Sequence, residues 1–593
     1  MTSDIALAPS QGEPQPMPVE SPKPLRVWPA LVLVGLFWSY DLVLRWLEAG
    51  MFTRWMAVMA ATALLVLLFP VWWLTNRRIA RADRWVCLGV AVGGGILSGF
   101  LSHKADVIAW LMSWLLASLP WVVTTWTVWL MLTRKASART RRLGVVAVLL
   151  LTWSVFPLLR FEGLRGAGQP VVRWRWTPSA EDLYRAELEQ RRADRGVVAP
   201  VAELIAQPND WPGFRGPQRD GVVRGLTITA DWKASPPRLL WLQRVGPGWS
   251  SLAVVGDRLF TQEQRGSSEA VVCLDANNGR EVWVHQDAVR FSDEQAGPGP
   301  RATPTFADGR LYTLGATGIL NCLDAASGER NWSHDLVAEM GAKLPIWGFS
   351  CSPLIVQGLV IVFAEGETEK TLLAYRADSG ELAWTADAGK AGYSSPQRMS
   401  IDGTEQILFL SMNGLIGVDP ASGTILWQHG LPTGGLFRPI QPHPLENGRV
   451  LIASESDGVM LLDVKREGES WTVSRRWASR ALKPSFNDFV VHGDSLYGFD
   501  GNIFCCVDAQ TGKRRWKEGR YNHGQVLLLA EPSLLLVVTE DGEAILLKAN
   551  PQAHEEIGRF QAIHGKTWNH PAIAQGRLYI RNGEEMACYE LAK

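Results

Sequence analysis

The feature that most constrains this fold is a sequence unit that recurs from about residue 270 to the end of the chain. In its clearest copies Asp, Gly and Trp stand four residues apart. Successive copies lie roughly 40 to 52 residues apart, a period typical of blade or solenoid repeats. Two degenerate copies, near Lys548 and Glu590, bring the number of units to eight. The repeat positions are Asp275, Gly279, Trp283; Asp324, Gly328, Trp332; Gly380, Trp384, with Arg376 in the Asp place; Asp419, Gly423, Trp427; a copy slipped by one residue at Asp463, Gly468, Trp471; and Asp508, Gly512, Trp516.

Each unit predicts two β-hairpins. An apolar run such as 319–323 ends in a polar turn, where Asp bonds backbone N–H groups two residues on and Gly supplies a positive φ. Two hairpins make four strands, which is one blade, so the sequence predicts an all-β, eight-bladed β-propeller. The last unit ends before its Trp strand. We expect residues 238–244 to supply that strand and close the ring, which removes exposed sheet edges.

The Trp and Cys of the repeat are predicted to serve packing. We expect each Trp to dock between neighbouring blades, where a large ring is buried between two sheets. Cys273, Cys322, Cys506 and Cys588 share one repeat position, two residues before the Asp or its substitute. Blades lie about 10 Å apart, whereas a disulfide needs Cα atoms within about 7 Å. The position therefore favours small packing side chains over disulfides.

The part of the chain before the repeats predicts three further regions. Residues 1–26 are Pro-rich and read as a disordered tail. Residues 27–160 carry five apolar spans, near 28–47, 55–75, 85–102, 107–132 and 143–160, and predict a domain of five transmembrane helices. Residues 161–210 read as a connector with a charged helix capped by Thr177. The propeller then occupies residues 211–593.

Charge is zero overall but unevenly distributed. The formal net charge of 0 gives no global argument for binding nucleic acid. The loops at 76–84 and 133–142 are strongly basic, whereas those at 48–54 and 103–106 are nearly neutral. The positive-inside rule places the basic loops and the amino terminus in the cytoplasm and everything after residue 160 outside. Asp41 and Arg45 stand at helical pairing distance in the first span.

Ligands of propellers usually meet the central funnel, where the innermost strands begin. Most of the strand starts here are bland, but those of blades six to eight are rich in polar and aromatic residues. Two readings stay open: a site for an anionic or planar ligand, and polar strand ends that satisfy one another around a narrow channel. No His has a companion at metal-ligand spacing. The funnel candidates are Trp249, Tyr393, Arg438, Asn487, Asp488, Asn522, His523, Lys566, Trp568, Asn569 and His570.

The repeat with its docking tryptophan resembles the pyrroloquinoline-quinone (PQQ) repeat, over about residues 211–593. The stretch 210–221, Asp-Trp-Pro-Gly-Phe-Arg-Gly-Pro-Gln-Arg-Asp-Gly, is similar to the lead-in of bacterial envelope proteins with PQQ-like propellers. The resemblance implies a bacterial inner-membrane protein with its propeller in the periplasm. Its partners would be the lipid bilayer, through five helices, and envelope proteins or a small ligand at the propeller face.

Two functions follow from that resemblance. One is a non-catalytic binding or scaffold module, similar to the outer-membrane assembly lipoprotein of this fold. The other is a quinoprotein dehydrogenase, since membrane glucose dehydrogenases share the plan of five spans and an eight-bladed propeller. That alternative implies PQQ with Ca²⁺, held by Asn487 and Asp488, with Asp488 as a base. The propeller's short connections and the adjacent Cys505 and Cys506, which a strand points to opposite faces, favour the scaffold, with no assigned cofactor.

Overall fold

The computed structural model describes residues 25–47, 51–102, 107–166, 168–193, 204–366, 370–390, 392–432 and 437–591. Two compact units divide the chain: Met1–Leu47 with Trp55–Leu159, and Glu48–Arg54 with Arg160–Lys593. The predicted tail, 1–26, lies outside the described residues except for its last two. The first unit is helical, and the second contains the repeats.

The helical unit differs from prediction in the number of its spans. Its helices are α1 Trp28–Trp46, α2 Met51–Thr75, α3 Arg81–Leu101, α4 Val107–Leu132 and α5 Ala138–Val155, followed by a 3₁₀ turn at Phe156–Leu158. Four of them are long and apolar enough to cross a membrane, over Trp28–Trp46, Thr53–Thr75, Arg81–Leu101 and Ala138–Leu158. In α4 the qualifying stretch is only Ala117–Leu132. Among the described residues the structure therefore contains four candidate spans, one fewer than the five predicted.

Two contacts organise the helical unit. The Asp41 carboxylate accepts from the Arg45 guanidinium at 2.9 Å, which confirms the pairing expected from their spacing. Helices α3 and α5 approach closely because Gly94 and Gly95 face the Trp153 ring, where an added Cβ at Gly94 would come within 2.6 Å. The Ser98 hydroxyl donates to the Trp153 carbonyl at 2.8 Å and fixes the same pair of helices.

The second unit is the predicted eight-bladed propeller, in which each blade contains four antiparallel strands and seven of the blades take theirs in sequence order. The strands are, for blade 1, Ala253–Val255, Arg258–Arg265, Ser268–Asp275 and Glu281–Asp287; blade 2, Thr305–Ala307, Arg310–Leu314, Ile319–Asp324 and Arg330–Asp335; blade 3, Leu354–Val356, Leu359–Phe363, Leu372–Arg376 and Leu382–Ala386; blade 4, Gln397–Ile401, Thr404–Leu410, Gly414–Val418 and Ile425–Gly430; blade 5, His443–Pro444, Arg449–Ser454, Gly458–Glu467 and Ser470–Ser479; blade 6, Val490–His492, Ser495–Asp500, Ile503–Asp508 and Arg514–Arg520; blade 7, Gln525–Leu529, Leu534–Val538, Glu543–Lys548 and Glu556–Gln561; and blade 8, Ala572–Ala574, Arg577–Arg581, Glu585–Glu590 and Arg238–Arg244.

Blade 8 confirms the predicted closure of the ring. Its outermost strand is Arg238–Arg244, which pairs antiparallel with Glu585–Glu590. Blade 7 carries an additional strand, because Val222–Val223 pairs parallel with its innermost strand. In blade 8 the strand Glu585–Glu590 thus lies between two paired strands, Arg577–Arg581 and Arg238–Arg244.

The docking role of the repeat tryptophans is confirmed. Five indole N–H groups donate to a carbonyl in the turn of the next blade at 2.9–3.1 Å: Trp241 to Ala276, Trp283 to Ala325, Trp332 to Ala377, Trp384 to Pro420 and Trp516 to Asn550. Trp427 departs from the pattern, because its indole N–H donates to the Gln406 side-chain oxygen of its own blade at 2.6 Å. The ring lies against the repeat glycine of that turn, so that a Cβ at Gly328 would come within 2.5 Å of Trp283. The small residue two before the Asp pairs with the Trp of its own blade, as Cys322 does with Trp332.

Blade 5 corrects one assignment. Its last two strands are ten residues each, and the residue that pairs with Leu461, two before Asp463, is Trp477. An added Cβ at Gly512 of blade 6 would meet the Trp477 ring at 2.6 Å. Trp477 therefore occupies the docking position that the spacing had assigned to Trp471. The hairpin of blade 5 is longer, so its docking tryptophan comes later in the sequence.

The connector contains a hairpin that the sequence did not predict. Its strands are Leu159–Leu164 and Pro170–Trp174, and we call residues 159–174 the connector hairpin. Helix α6 follows at Ala180–Ala193. The cap of α6 is Ser179 rather than Thr177, because the Ser179 hydroxyl accepts from the Asp182 N–H while the Asp182 carboxylate accepts from the Ser179 N–H, each at 3.0 Å. Beyond the blades, a short pair Ser292–Asp293 and Gly297–Pro298 and helix α7, Leu336–Met340, lie in connecting loops.

Candidate functional site

The centre of the propeller is filled by a segment from before the ring, residues 209–223, which we call the channel loop. It reaches every blade. Its contacts, from blade 1 to blade 8, are Trp211 with Val254, Pro212 with Phe306, Arg219 with Pro353, Gln218 with Gln397, Arg219 with Gln441, Arg215 with Phe489, Val223 with Leu529 and Phe214 with His570. The Gly and Pro residues of this stretch, quoted above for the resemblance, thus belong to a loop that closes the channel.

A buried ion pair joins the channel loop to the ring. Arg215 Nη1 lies 2.9 Å from Asp488 Oδ2, and His443 Nε2 lies 2.7 Å from Asp488 Oδ1. Burial alone would raise the pKa of Asp488, but the charges of Arg215 and His443 outweigh it and lower that pKa to about 2. Burial lowers the pKa of His570, which lies beside this group, to about 3. Asp488 is therefore ionised and fully engaged, and His570 is neutral.

A second group lies where the innermost strands of blades 7, 8 and 1 begin, and we call it the funnel cluster: Trp249, His523, Glu540, Lys566 and Trp568. The Lys566 ammonium lies 4.9 Å from the Trp249 ring centre and 4.3 Å from that of Trp568. Glu540 Oε1 accepts from the Trp568 indole N–H at 2.8 Å. Burial lowers the pKa of Lys566 to about 8 and also lowers that of His523. The cluster combines a lysine, a glutamate and two tryptophan rings whose centres lie 4.9 Å apart at an interplanar angle of 36°.

The connector hairpin covers the funnel cluster. The Gly166 N–H donates to Glu540 Oε1 at 2.6 Å, and Lys566 Nζ donates to the Leu164 carbonyl at 3.0 Å. The approach is close because glycine stands at both contact points. A Cβ at Gly166 would come within 2.2 Å of the His523 ring, and one at Gly163 within 2.5 Å of the Gln295 carbonyl.

Further pairs tie the hairpin to the ring. Arg173 Nη2 lies 3.3 Å from Glu584, and Arg165 pairs with Asp541. We call the hairpin and the funnel cluster together the closed sector, which spans blades 7, 8 and 1.

The other predicted funnel residues lie in different surroundings. Arg438 is buried against Asp457 at 3.0 Å and donates to the Pro432 carbonyl. The Asn569 amide donates to the Ser250 carbonyl at 2.7 Å and links blade 8 to blade 1. Asn487 is buried and accepts from the Ser485 N–H, whereas Asn522 is half-buried and 3.5 Å from Asp541. These four side chains serve local hydrogen bonding in this arrangement.

Tyr393 belongs to a third group, on the loops that lead into blades 3, 4 and 5. Its ring centre lies 5.3 Å from that of Trp347, and Trp347 lies 4.0 Å from Phe437. Leu344 and Ile346, next to Trp347 in the chain, are 50% and 75% exposed. We call these five residues the open sector. In an eight-bladed ring it lies opposite the closed sector, on the face where the innermost strands begin.

The funnel does not fit a planar anionic cofactor in this arrangement. The space beside Trp249 and Trp568 is taken by Lys566 and by the hairpin glycines, and the nearby Glu540 would repel an anion. Asp488, the expected Ca²⁺ ligand or base, already binds Arg215 and His443. Among the described residues no group of three or more His, Cys, Asp or Glu side chains is arranged to hold a metal ion.

Several residues of these groups escaped sequence reasoning, among them Glu540, Arg215, His443 and Trp347. Glu540 lies in the turn between the second and third strands of blade 7, a turn that shares its face with the strand starts. Reading both sets of loops together would have found it. Arg215 and His443 gave no signal, because the contact between their side chains joins positions 228 residues apart. Trp347 lies in a long loop with no repeat position to mark it.

Comparison with known families finds one match within the propeller. The family model described as outer membrane protein assembly factor BamB matches residues 267–518. A protein of that name from Moranella endobia is 25% identical over 253 residues, which are 41% of this chain and 59% of the relative. Quinohemoprotein alcohol dehydrogenase ADH-IIG from Pseudomonas putida is 26% identical over 204 residues, 32% of this chain and 27% of the relative. The chain thus spans 59% or less of the length of these two relatives.

Two solved structures also align with the chain. BamB from Moraxella catarrhalis aligns with a TM-score of 0.44 at 16% identity, over 60% of this chain and all of that one. The quinohemoprotein alcohol dehydrogenase from Comamonas testosteroni aligns with a TM-score of 0.49 at 13% identity, over 69% of this chain and 84% of that one.

Proposed function

We propose that this chain, whose carboxy-terminal region is a PQQ-like eight-bladed β-propeller, is a membrane-anchored scaffold that binds an envelope protein at the open sector. The observation that carries the proposal is the difference between the two sectors of one propeller face. The chain's own hairpin already occupies the funnel cluster through backbone and side-chain hydrogen bonds. The open sector offers exposed apolar side chains beside three packed aromatic rings.

The chemistry of the open sector fits a protein partner. Exposed aliphatic side chains next to aromatic rings gain free energy when a complementary apolar surface covers them. Ile346 and Leu344 would be the contacting side chains, and Trp347 would support them from behind. Two relatives carry the name outer membrane protein assembly factor, which supports a partner from the cell envelope.

The same proposal places the propeller outside the cytoplasm. The loop 133–142 is strongly basic and immediately precedes α5, which is long and apolar enough to span a membrane with the turn that follows it. A cytoplasmic position for that loop puts the chain after Leu158 on the other side. This position of the propeller follows from one basic loop and one helix, so it does not depend on the total number of spans.

A site-specific photo-crosslinker tests the scaffold. The crosslinking residue replaces Ile346 in the full-length protein in cells, and a matched control replaces Leu242, an exposed leucine on the outermost strand of blade 8. We expect an adduct with one defined envelope protein from position 346, reduced by Trp347→Ser, and none from position 242. Equal yields at the two positions, or no adduct at 346, would contradict the proposal.

The alternative is a PQQ-dependent dehydrogenase that oxidises a sugar or alcohol and passes electrons to membrane quinone. It is favoured by the likeness to quinohemoprotein and quinoprotein dehydrogenases. The purified full-length protein would be titrated with PQQ and Ca²⁺ while dye-linked oxidation of sugars and alcohols is followed. Saturable binding with turnover, lost in Asp488→Ala and Trp568→Ala but kept in Ile346→Ser, would establish the dehydrogenase and end the scaffold proposal.

A further inference from the structure

The connector hairpin has two chemically different faces. The face toward the ring carries Leu164 and Arg173, whose backbone carbonyl and guanidinium contact Lys566 and Glu584. The opposite face is apolar and open: Phe161, Val172 and Trp174 all have more than 40% of their surface exposed. In the strand Pro170–Trp174 exposed residues alternate with half-buried ones, as expected when a two-stranded ribbon packs on one side only.

An exposed tryptophan pair extends this outer face. Trp174 and Trp176 stack with ring centres 5.1 Å apart and an interplanar angle of 8°, and Trp176 is 66% exposed. Arg175 stands between them in the chain. Paired aromatic rings on a surface, with an indole N–H at one end and an apolar body at the other, suit the boundary between lipid headgroups and acyl chains.

The position of the hairpin in the sequence indicates that the outer face contacts lipid. The candidate span that contains α5 ends at Leu158, and Phe161 is only three residues further on. An extended chain covers at most about 3.6 Å per residue, so Phe161 lies within about 11 Å of the end of that span. The headgroup layer on each side of the hydrocarbon is about 5–7 Å thick. The outer face therefore begins within reach of the bilayer boundary wherever the rest of the chain lies.

We propose that the outer face of the connector hairpin, Phe161, Val172, Trp174 and Trp176, is a lipid-contact surface that lies in the interfacial layer of the bilayer. The proposal rests on α5 spanning the membrane and is independent of whether the propeller is a scaffold or an enzyme. The apolar side chains enter the acyl boundary, and the indole N–H groups remain at headgroup depth.

One ribbon then performs two tasks. Its outer face contacts lipid, and its inner face donates the Gly166 N–H to Glu540 and accepts from Lys566 through the Leu164 carbonyl. Because both faces belong to the same two strands, a change in lipid contact is transmitted to the cover of the funnel cluster. Contact with the bilayer then favours the arrangement in which the hairpin covers the funnel cluster.

Depth measurement in pure-lipid nanodiscs tests the surface directly. Full-length protein carrying Trp176→Cys or Val172→Cys is labelled with an environment-sensitive fluorophore, and Leu242→Cys is the matched exposed control. The native cysteines are all buried as free thiols, so labelling of intact protein is directed to the introduced one. We expect quenching by nitroxides carried near the lipid headgroup to be several-fold stronger at 176 and 172 than at 242.

The other outcomes overturn the proposal. Quenching at 176 and 172 equal to that at 242, with equal access of a water-soluble quencher, would exclude lipid contact. Protection of these positions in native membranes but not in pure-lipid nanodiscs would assign the face to a protein partner instead. A labelled variant that no longer shows the thermal transition of the parent protein is replaced by the second position, Val172.

Discussion

The closed and open sectors occupy opposite sides of the same propeller face, yet they present different chemistry. In the closed sector, polar and charged side chains lie under a hairpin that satisfies them, as Glu540 accepts from both Gly166 and Trp568. In the open sector, apolar side chains are left to solvent around the Trp347 ring. Buried polar groups require hydrogen-bond partners, which the folded chain itself supplies in the closed sector. Exposed apolar groups indicate a surface that a binding partner covers. The face of a propeller is thus not one site but several sectors.

The largest expected effect concerns the channel below the closed sector. Arg215→Leu removes the guanidinium that lies 2.9 Å from Asp488 and leaves a buried carboxylate without its main countercharge. We expect a loss of about 3–5 kcal/mol in the free energy of unfolding. The control is Arg398→Leu, which breaks the exposed ion pair between Arg398 and Glu405. It should lower the free energy of unfolding by less than about 1 kcal/mol. Thermal or denaturant unfolding of both variants measures the difference, and equal losses would show that the channel pair is not special.

The second largest expected effect concerns the connector hairpin, which covers the funnel cluster. Gly166→Val places side-chain atoms where the His523 ring lies, so the hairpin must move away from the funnel cluster. Overpacking of this kind costs about 1–3 kcal/mol. We expect faster proteolytic cleavage within the connector hairpin, whereas Gly430→Ala, at a position with nothing within 4 Å, should leave the cleavage rate unchanged. Unchanged cleavage in Gly166→Val would mean that the hairpin does not depend on this close approach.

The pH dependence of the cover is a smaller effect. The pKa of Lys566 is lowered by burial from 10.5 to about 8 in the folded chain. Below pH 8 the lysine is protonated in both states, and burial opposes folding to its full extent. As pH rises from 8 toward 10.5 the unfolded state binds more protons than the folded one, so stability rises. Protection of the hairpin from hydrogen exchange, corrected for the intrinsic rate, should increase over that range and stay flat in Lys566→Met.

The smallest effect on stability belongs to the open sector. Ile346 is 75% exposed, so Ile346→Ser should change the free energy of unfolding by less than about 0.5 kcal/mol. The same substitution should nonetheless lower the yield of the crosslinked partner when the probe is placed at Leu344. Destabilisation well above that value would show that Ile346 packs within the protein, and the contrast between the sectors would disappear.

The blades could be predicted because their signals are local and repeated. The turn that contains Asp324 and Gly328 uses the carboxylate to accept from the N–H groups of Ala326 and Ser327, as the spacing indicated. The assignment of Trp471 failed where one longer hairpin broke the period and moved Trp477 into the docking position. Local periodicity therefore fixes the number of blades better than the length of each.

The candidate site was harder to predict because its contacts join distant positions. Gly166 and Glu540 are 374 residues apart, and neither shows by its neighbours in sequence that it meets the other. The funnel list included Trp249, His523, Lys566 and Trp568, which belong to strand starts of adjacent blades, and their role as a binding site stays a prediction. Tyr393 and Arg438 were taken from the strand starts of blades 4 and 5, and they lie among other partners. What covers a site is not visible in the loops that form it.

Ring closure sets a condition on the synthesis of this protein. The strand Arg238–Arg244 finds its partner only when Glu585–Glu590 has been made, and Arg238 and Glu590 are 352 residues apart. Contacts of such separation form late and slowly. Until then both of these strands of blade 8 present unpaired edges, which can pair with other chains. The two ends of the propeller sequence are thus joined in one sheet, and the ring stays open for as long as either strand is missing.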